Sequence, residues 1–210
     1  PAMTREEAVS AVRAGIAMIA ELVGQGYGLF ATGEMGIGNT TPSAAMLCAF
    51  TGTEPEAAVG RGTGIDDAAW RRKVEVVRRA LAVNAPRIDD PLDVLAKLGG
   101  LEIAGLVGVV LGAAIHRRPV VIDGFISSAA ALAACRIAPS AANYMIASHL
   151  SQEPGHAILL REMGLEPMIM LDMRLGEGTG AVLGFMLIEA ALNIMREMAT
   201  FESAGISRPD

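Results

Sequence analysis

Met168-Ile-Met-Leu-Asp-Met-Arg-Leu-Gly-Glu-Gly-Thr-Gly-Ala181 is the stretch that decides the fold of this chain. It predicts a short apolar strand, a glycine-rich loop and then a long helix. The loop places Glu177 between Gly176 and Gly178. Glycine loops between a strand and a helix usually bring backbone N–H groups to an anion, but a carboxylate at the centre would repel a phosphate. Either the loop is only a tight turn, or Glu177 faces a part of a ligand that carries positive charge or a proton.

The same succession of strand, loop and helix is predicted at four places, with strands expected at 27–32, 119–123, 144–147 and 168–171. This alternation is typical of the α/β class, here a doubly wound, Rossmann-like parallel sheet with right-handed crossovers and helices on both faces. Loops that follow parallel strands collect at one edge of the sheet, where ligands bind. We therefore expect convergence of the loops at Glu34, Asp123, Ser151 and Glu177.

Capping residues predict where several helices begin. Thr4 and Glu7 have the spacing of a capping box at the start of the first helix, which is expected to run to about residue 23. Asp66 or Asp67 is expected to cap a basic helix further along the chain. Ser127 is expected to cap an alanine-rich helix that follows the second predicted strand.

Composition excludes several classes of function. The chain has 210 residues, a net charge of −6 and no Lys/Arg block that would follow a nucleic acid backbone. Cys48 and Cys135 lie in apolar runs and are expected to be buried thiols. The polar start of the sequence predicts no signal peptide, and the charge-free run 103–115 is shorter than the ~20 residues that span a bilayer. We expect a cytoplasmic protein with no membrane partner and no nucleic acid partner.

Common nucleotide and metal motifs fit the sequence poorly. Gly176-x-Gly178-x-x-Ala181 has the spacing of a dinucleotide fingerprint, but no second strand with an acidic residue follows it. The glycine loops lack the Gly-Lys-Ser/Thr of a P-loop, and no His/Cys spacing suits zinc. His149 and His156 are interpreted as loop histidines rather than metal ligands. The basic run around Lys73 is either a solvated helix face or contains one residue turned to a phosphate.

Two carboxylates remain as candidates for chemistry. Glu34 and Glu177 each lie in a glycine loop after an apolar strand, and both loops are predicted at the same sheet edge. A carboxylate enclosed by glycine backbone is expected to lose water and to serve as a general base. The alternative is that both side chains only cap nearby backbone N–H groups.

The loops resemble those of a known family, the nicotinate-nucleotide–dimethylbenzimidazole phosphoribosyltransferases. Family motifs are similar to Gly33-Glu-Met-Gly-Ile-Gly-Asn-Thr-Thr41, Asp123-Gly-Phe-Ile-Ser127, Ser148-His-Leu-Ser151 and Arg174-Leu-Gly-Glu-Gly-Thr-Gly180, and the resemblance runs over nearly the whole chain. It implies transfer of ribose phosphate from nicotinate mononucleotide to dimethylbenzimidazole, which gives alpha-ribazole phosphate and nicotinate in cobalamin lower-ligand synthesis. It also implies a homodimer and no cofactor, because the leaving pyridinium is already cationic and needs no metal.

The resemblance implies a division of the chain into a sheet and part of a small helical domain. Residues 1–24 would be a helical lead-in to the small domain, and 25–178 the parallel α/β nucleotide-binding domain. Residues 179–210 would supply a C-terminal helix and tail to the small domain.

Roles for single residues follow from the same resemblance. Glu177 corresponds to the catalytic glutamate, which takes a proton from one benzimidazole nitrogen while the other attacks the anomeric carbon. Glu34 corresponds to a glutamate near the ribose hydroxyls, and Ser151 would lie near the nicotinate ring. The phosphate cradle corresponds to Gly36, Ile37, Gly38, Asn39, Thr40, the loop from Gly62 to Gly64, and Lys73, and further substrate-binding positions are Asp123, Arg174 and Gly176.

Chains of this family are considerably longer, and the resemblance implies that the part without a counterpart here is N-terminal. That part would supply much of the dimethylbenzimidazole pocket. An alternative function is therefore a non-catalytic domain that binds nicotinate mononucleotide or phosphate. A second alternative is a structural sheet domain in which the glycine loops are only turns.

Overall fold

The computed structural model describes residues 1–62 and 64–206. Its helices are α1 (Arg5–Gly24), α2 (Thr40–Thr51), α3 (Pro55–Ala58), α4 (Asp67–Asn84), α5 (Pro91–Leu98), α6 (Leu101–Ile115), α7 (Phe125–Ile137), α8 (Pro154–Met163) and α9 (Thr179–Glu197), with a 3-10 helix at Pro139–Tyr144. Its strands are β1 (Phe30–Ala31), β2 (Val120–Ile122), β3 (Met145–Ala147), β4 (His149–Ser151) and β5 (Ile169–Met173).

All strand pairs within the described residues are parallel, which confirms the predicted α/β class. β1, β2 and β3 form one sheet in that order, with Phe30 opposite Val120 and Val120 opposite Met145. β4 and β5 form a second pair, with a register irregularity inside β4. The two sheets meet at Ser148, whose N–H donates to the Ile122 carbonyl and whose carbonyl accepts from the Ile169 N–H, each at 3.0 Å.

Helices cover both faces of β2, as predicted. Val120, Val121 and Ile122 are fully buried. Val120 and Ile122 belong to the main hydrophobic core, to which α7 contributes most of its length. Val121 points to the opposite face, where a Cβ on Gly184 of α9 would lie 3.4 Å from the Val121 side chain. Since side chains alternate along a strand, α7 and α9 pack on opposite faces of β2.

α1 packs against α6 with almost no space between the backbones. A Cβ on Gly15 of α1 would lie 2.1 Å from the Gly105 carbonyl oxygen. A Cβ on Gly108 of α6 would lie 2.0 Å from the Val12 carbonyl oxygen. The glycines at this crossing therefore permit the contact. α6 also contributes Ile103, Val107 and Val110 to the main hydrophobic core.

Several predicted element boundaries are confirmed and others are wrong. Thr4 and Glu7 form the complete capping box of α1, and the Asp66 side chain caps α4. Ser127 does not cap α7, because that helix begins earlier, at Phe125, with Gly124 as its N-cap. The predicted loop after β3 begins instead with a second short strand, β4, which pairs with β5. The four predicted strands are therefore five, and they are divided between two sheets within the described residues.

α9 has one packed side and one open side. Ala181 and Gly184 are buried against the sheet, whereas Met186, Ile194 and Met195 are 59%, 55% and 82% exposed. By length and composition alone, α9 is the helix in the described part of the chain that could cross a membrane, and 17% of its apolar window is buried. From the sequence, the run at 103–115 was compared with the length of a membrane span, whereas α9 was predicted only as a long helix.

Candidate active site

The two glutamate loops lie directly against each other. The N–H of Glu177 donates to the Glu34 carbonyl at 2.8 Å. A Cβ on Gly33 would lie 2.9 Å from the Gly178 nitrogen, so the loops approach at backbone distance. Glu177 has φ +59°, between Gly176 at +80° and Gly178 at +79°. A non-glycine residue in the left-handed region costs about 1 kcal/mol or more, and such strain is concentrated at functional sites.

The environments of the two glutamates differ from the prediction. Glu177 is exposed, so the expectation that glycine backbone would enclose its carboxylate is wrong. Glu34 is half-buried, and its carboxylate accepts a hydrogen bond from the Gly36 N–H. The carboxylate of Glu34 thus caps a nearby backbone N–H group, which is the alternative left open by the sequence. Glu34 also lines the cavity described below.

Asp123 holds the Glu177 loop from below. Its side chain is 2% exposed, at the carboxyl end of β2. One carboxylate oxygen accepts from the Gly178 N–H and the other from the Ala181 N–H, each at 3.1 Å. These N–H groups belong to the start of α9, where the helix dipole favours a negative charge. Asp123 therefore joins the end of β2 to the residue that follows Glu177.

A cavity of about 610 Å³ opens at this edge of the sheet. Most of the predicted site residues line it, namely Glu34, Gly36, Ile37, Gly38, Thr40, Gly62, Lys73, Asp123, Ser151, Arg174 and Gly176. Asn39, Gly64 and Glu177 are not part of the lining, although Asn39 and Glu177 directly adjoin residues that are. Thr63, within the predicted loop from Gly62 to Gly64, lies outside the described residues.

Lys73 is the residue of the basic run that turns inward. Its ammonium group donates to the Thr40 hydroxyl at 2.9 Å and to the Gly60 carbonyl at 3.2 Å. Burial lowers the pKa of Lys73, and the negative charge of Glu153 opposes that shift. An ammonium has three hydrogens, so two of them are used and one is left for the cavity. The start of α2 lies beside it, and a helix N-terminus with a lysine is a favourable place for a phosphate.

Two polar atoms near the cavity lack a hydrogen-bond partner among the described residues. They are Oδ1 of Asn39, which directly precedes α2, and Oε2 of Glu153, which directly precedes α8. A buried polar atom without a partner costs about 1–3 kcal/mol, so each is a position where a ligand or water would be bound. Glu153 was not predicted as a site residue from the sequence; its place immediately before Pro154, at a predicted sheet edge, was the available signal.

The predicted loop histidines are instead buried in regular structure. His149 lies in β4 and is 2% exposed, while His156 lies in α8 and is fully buried. Burial lowers the pKa of His149, against the opposing charge of Asp123, whose oxygen lies 3.8 Å away. Burial, together with His149, lowers the pKa of His156 to about 3. No group of three or more metal-binding side chains was found in residues 1–62 and 64–206.

Acid should unfold this protein in part through His156. The unfolded chain binds a proton at this ring as the pH falls through 6.5, whereas the folded chain does so only near pH 3. Protons thus favour the unfolded state, and the free energy of unfolding should fall by roughly 2–3 kcal/mol between pH 7 and pH 4.5 from this group alone. Urea unfolding at both pH values measures the fall, and nuclear magnetic resonance should find the ring still neutral at pH 4.5. A ring that is protonated at pH 6 in the folded chain would contradict this prediction.

Comparison with known proteins shows which family the chain belongs to. A family model described as phosphoribosyltransferase matches residues 1–206. The nicotinate-nucleotide–dimethylbenzimidazole phosphoribosyltransferase of Desulforudis audaxviator is 59% identical over 208 residues, which are 99% of this chain and 59% of that protein. The enzyme of the same name from Desulforamulus reducens is 56% identical, with the same coverage. This chain therefore spans about three fifths of the length of these relatives.

Solved structures show the same fold. A crystal structure of CobT from Thermus thermophilus has a TM-score of 0.94 and 47% identity, and the match covers 100% of this chain and 62% of that one. A crystal structure of the phosphoribosyltransferase of the same organism has a TM-score of 0.91 and 45% identity, over 100% of this chain and 61% of that one. By sequence and by fold, this chain belongs to the nicotinate-nucleotide–dimethylbenzimidazole phosphoribosyltransferase family.

Proposed function

We propose that this protein transfers ribose phosphate from nicotinate mononucleotide to dimethylbenzimidazole, and that the described residues form the nucleotide-binding half of the site. The observation that supports this proposal most strongly is the contact between the two glutamate loops, beside a cavity that Lys73 lines. This arrangement offers a phosphate site and the Glu34 carboxylate within one cavity, with Glu177 next to Gly176 of its lining. The names of the relatives support this assignment of substrates.

The phosphate of the nucleotide would bind between Lys73 and the start of α2. Thr40 begins α2, and Gly36 and Gly38 precede it with φ +80° and +81°. Positive φ values at these glycines allow backbone N–H groups to turn toward an anion. Gly62, Gly64 and Asn39 are proposed as further parts of this cradle. Arg174 lines the same cavity and would add positive charge there.

The chemical step proposed is a direct displacement at the anomeric carbon. One nitrogen of dimethylbenzimidazole attacks this carbon from the face opposite nicotinate, and the bond to the pyridinium nitrogen breaks. The electron pair of that bond stays on nicotinate, which leaves with a neutral ring nitrogen. The proton on the second benzimidazole nitrogen passes to the Glu177 carboxylate. Positive charge develops on the acceptor during attack, which is where a carboxylate stabilises the transition state most.

Glu177 has the exposure that this role needs, because the acceptor must approach it from outside. Its backbone is held by Glu34 on one side and, through Gly178, by Asp123 on the other. The carboxylate can therefore reach an incoming base while the loop stays in place. Glu34, whose carboxylate is fixed by the Gly36 N–H, is proposed to bind the ribose hydroxyls.

Lys73→Met should weaken phosphate binding without changing the fold. Removing a charged donor from a half-buried site costs roughly 10- to 100-fold in affinity. We expect this loss for both nicotinate mononucleotide and orthophosphate, measured by calorimetric titration. Arg72→Met is the matched control, since Arg72 is the exposed neighbour on the same helix and loses the same charge. Equal affinities in the two variants would contradict the proposed phosphate site.

A product assay tests the proposed function. The 210-residue chain is incubated with nicotinate mononucleotide and dimethylbenzimidazole, and alpha-ribazole phosphate and nicotinate are measured. Equal amounts of both products would support catalysis. Nucleotide binding without either product would favour the alternative, a non-catalytic nucleotide-binding domain. Failure to bind any phosphoribosyl ligand would overturn both.

Assembly and location are also proposals. The open side of α9 and the greater length of the relatives support further protein packing on this face. We infer a cytoplasmic homodimer, with α1 and α9 contributing to a small helical domain. Sedimentation of the chain at several concentrations would reveal self-association, and a monomer at all concentrations would argue against this dimer.

A further inference from the structure

His156 is bound on both sides of its ring by serines. Its Nε2 lies 3.0 Å from the Ser128 hydroxyl, which is itself fully buried. Its Nδ1 lies 3.0 Å from the backbone nitrogen of Ser151 and 2.9 Å from the Ser151 hydroxyl. Ser128 belongs to α7, His156 to α8 and Ser151 to β4, so the ring connects three elements.

The backbone N–H of Ser151 fixes the proton on this ring. An N–H group can only donate, so Nδ1 of His156 must be an unprotonated acceptor. The ring proton is then on Nε2, which donates to the Ser128 hydroxyl. Because Nδ1 carries no hydrogen, the Ser151 hydroxyl is the group that can donate in its 2.9 Å contact with Nδ1, and it shares the single Nδ1 lone pair with the Ser151 N–H.

This arrangement leaves Ser151 as an acceptor toward the cavity. Its hydroxyl hydrogen is used by His156, and one lone pair is approached by the Glu153 N–H at 3.4 Å. A hydroxyl oxygen has two lone pairs, so one is left. Ser151 lines the cavity, where that lone pair would meet a ligand donor.

We propose that His156 is a positioning residue that acts through Ser151, making Ser151 a hydrogen-bond acceptor for a ribose hydroxyl of the bound nucleotide. The inference rests on the proposed function for the identity of the ligand. In nicotinate mononucleotide the carboxylate and phosphate are acceptors, and the ribose hydroxyls are the donors. Ser151 therefore binds the ribose rather than the carboxylate of the nicotinate ring, which differs from the contact near that ring that the family resemblance implies.

The surroundings keep His156 neutral. It is fully buried, and its nearest ring neighbour is His149, edge-on at a centroid distance of 5.8 Å. Burial and this second ring lower the pKa of His156 to about 3. The acceptor state of Nδ1 thus persists at every pH at which the protein would be assayed.

Two substitutions of His156 test the roles of its two ring nitrogens one at a time. In His156→Asn, the amide oxygen lies near the position of Nδ1 and can accept from Ser151. In His156→Gln, the amide lies near the position of Nε2, and Ser151 loses its acceptor. We expect the glutamine variant, like Ser151→Ala, to bind nicotinate mononucleotide about five- to tenfold more weakly, and the asparagine variant to stay within about twofold.

Orthophosphate and deoxy nucleotides distinguish positioning from loss of structure. All variants should bind orthophosphate as the unmodified chain does, since the phosphate site is formed by other residues. A nicotinate mononucleotide that lacks the contacted ribose hydroxyl, tested as the 2′-deoxy and 3′-deoxy forms, should be insensitive to Ser151→Ala. Ser10→Ala is the control, because Ser10 is exposed on α1 outside this network, and the variant should leave the affinity unchanged.

A nitrogen-15 nuclear magnetic resonance spectrum of the unmodified chain shows directly which ring nitrogen of His156 carries the proton. This measurement does not depend on whether the variants fold. Two-bond proton–nitrogen correlations should show a hydrogen on Nε2 of His156 and none on Nδ1. A hydrogen on Nδ1, or equal nucleotide affinities of the glutamine variant and the unmodified chain, would overturn the inference. If the unmodified chain binds no nicotinate mononucleotide, the proposed function and the ribose contact both fail, while the spectrum still decides how His156 holds Ser151.

Discussion

Glu177→Gln is expected to reduce phosphoribosyl transfer by roughly 10²- to 10⁴-fold, because a general base contributes about this much. Glutamine keeps the size of the side chain and its backbone contacts to Glu34, but it cannot take the proton of the acceptor. The KM for nicotinate mononucleotide should therefore stay within about twofold. Initial rates of nicotinate release at saturating dimethylbenzimidazole measure the effect, in a form with the full length of the relatives if the 210-residue chain has no turnover.

Glu189→Gln is the matched control for this experiment. Glu189 is an exposed glutamate of α9, so the variant makes the same chemical change outside the proposed site. Unchanged turnover in the control together with a large loss at position 177 would support the role of base. Retention of more than about a tenth of the activity in Glu177→Gln would contradict it.

Asp123→Asn is expected to lower the free energy of unfolding by about 1.5–4 kcal/mol. The carboxylate accepts two buried N–H groups, whereas an amide would offer one acceptor and turn its NH₂ group toward a second donor. A buried donor left without an acceptor costs about 1–3 kcal/mol, and loss of the negative charge at the start of α9 costs about another 0.5–1 kcal/mol. Urea unfolding at pH 7 measures the change.

Asp89→Asn provides the comparison, since Asp89 is exposed and the substitution makes the same change at the surface. It should alter the free energy of unfolding by less than about 0.5 kcal/mol. Asp123→Asn should also reduce transfer, because Asp123 holds the residue that follows Glu177. Equal stabilities of the two variants would show that Asp123 does not hold the loop in the way described.

The parallel α/β fold could be predicted because its signals are local. Apolar runs followed by glycine loops recur along the chain, and each of them is visible within about ten residues of sequence. The meeting of the Glu34 and Glu177 loops followed from the same rule, since the carboxyl ends of parallel strands lie at one edge. The sequence left two interpretations of the basic run around Lys73, a solvated helix face or one residue turned to a phosphate. It could not decide between them because it does not show which face of α4 meets α2.

Features that depend on distant partners could not be predicted. The role of Asp123 depends on N–H groups 55 and 58 positions away in sequence. His149 was expected in a loop because its strand is three residues long, and pairing with β5 rather than local propensity makes it a strand. The exposure of Glu177 likewise depends on what packs over its loop, which the flanking glycines do not reveal.

A crystal structure of this chain grown with nicotinate mononucleotide tests the central claim most directly. The account predicts the phosphate within hydrogen-bond distance of the Lys73 ammonium and of N–H groups before α2. It also predicts the ribose beside Glu34, with the anomeric carbon open toward Glu177. A nucleotide bound elsewhere, or bound with its phosphate at the start of α9 and its ring toward Lys73, would contradict the proposed site.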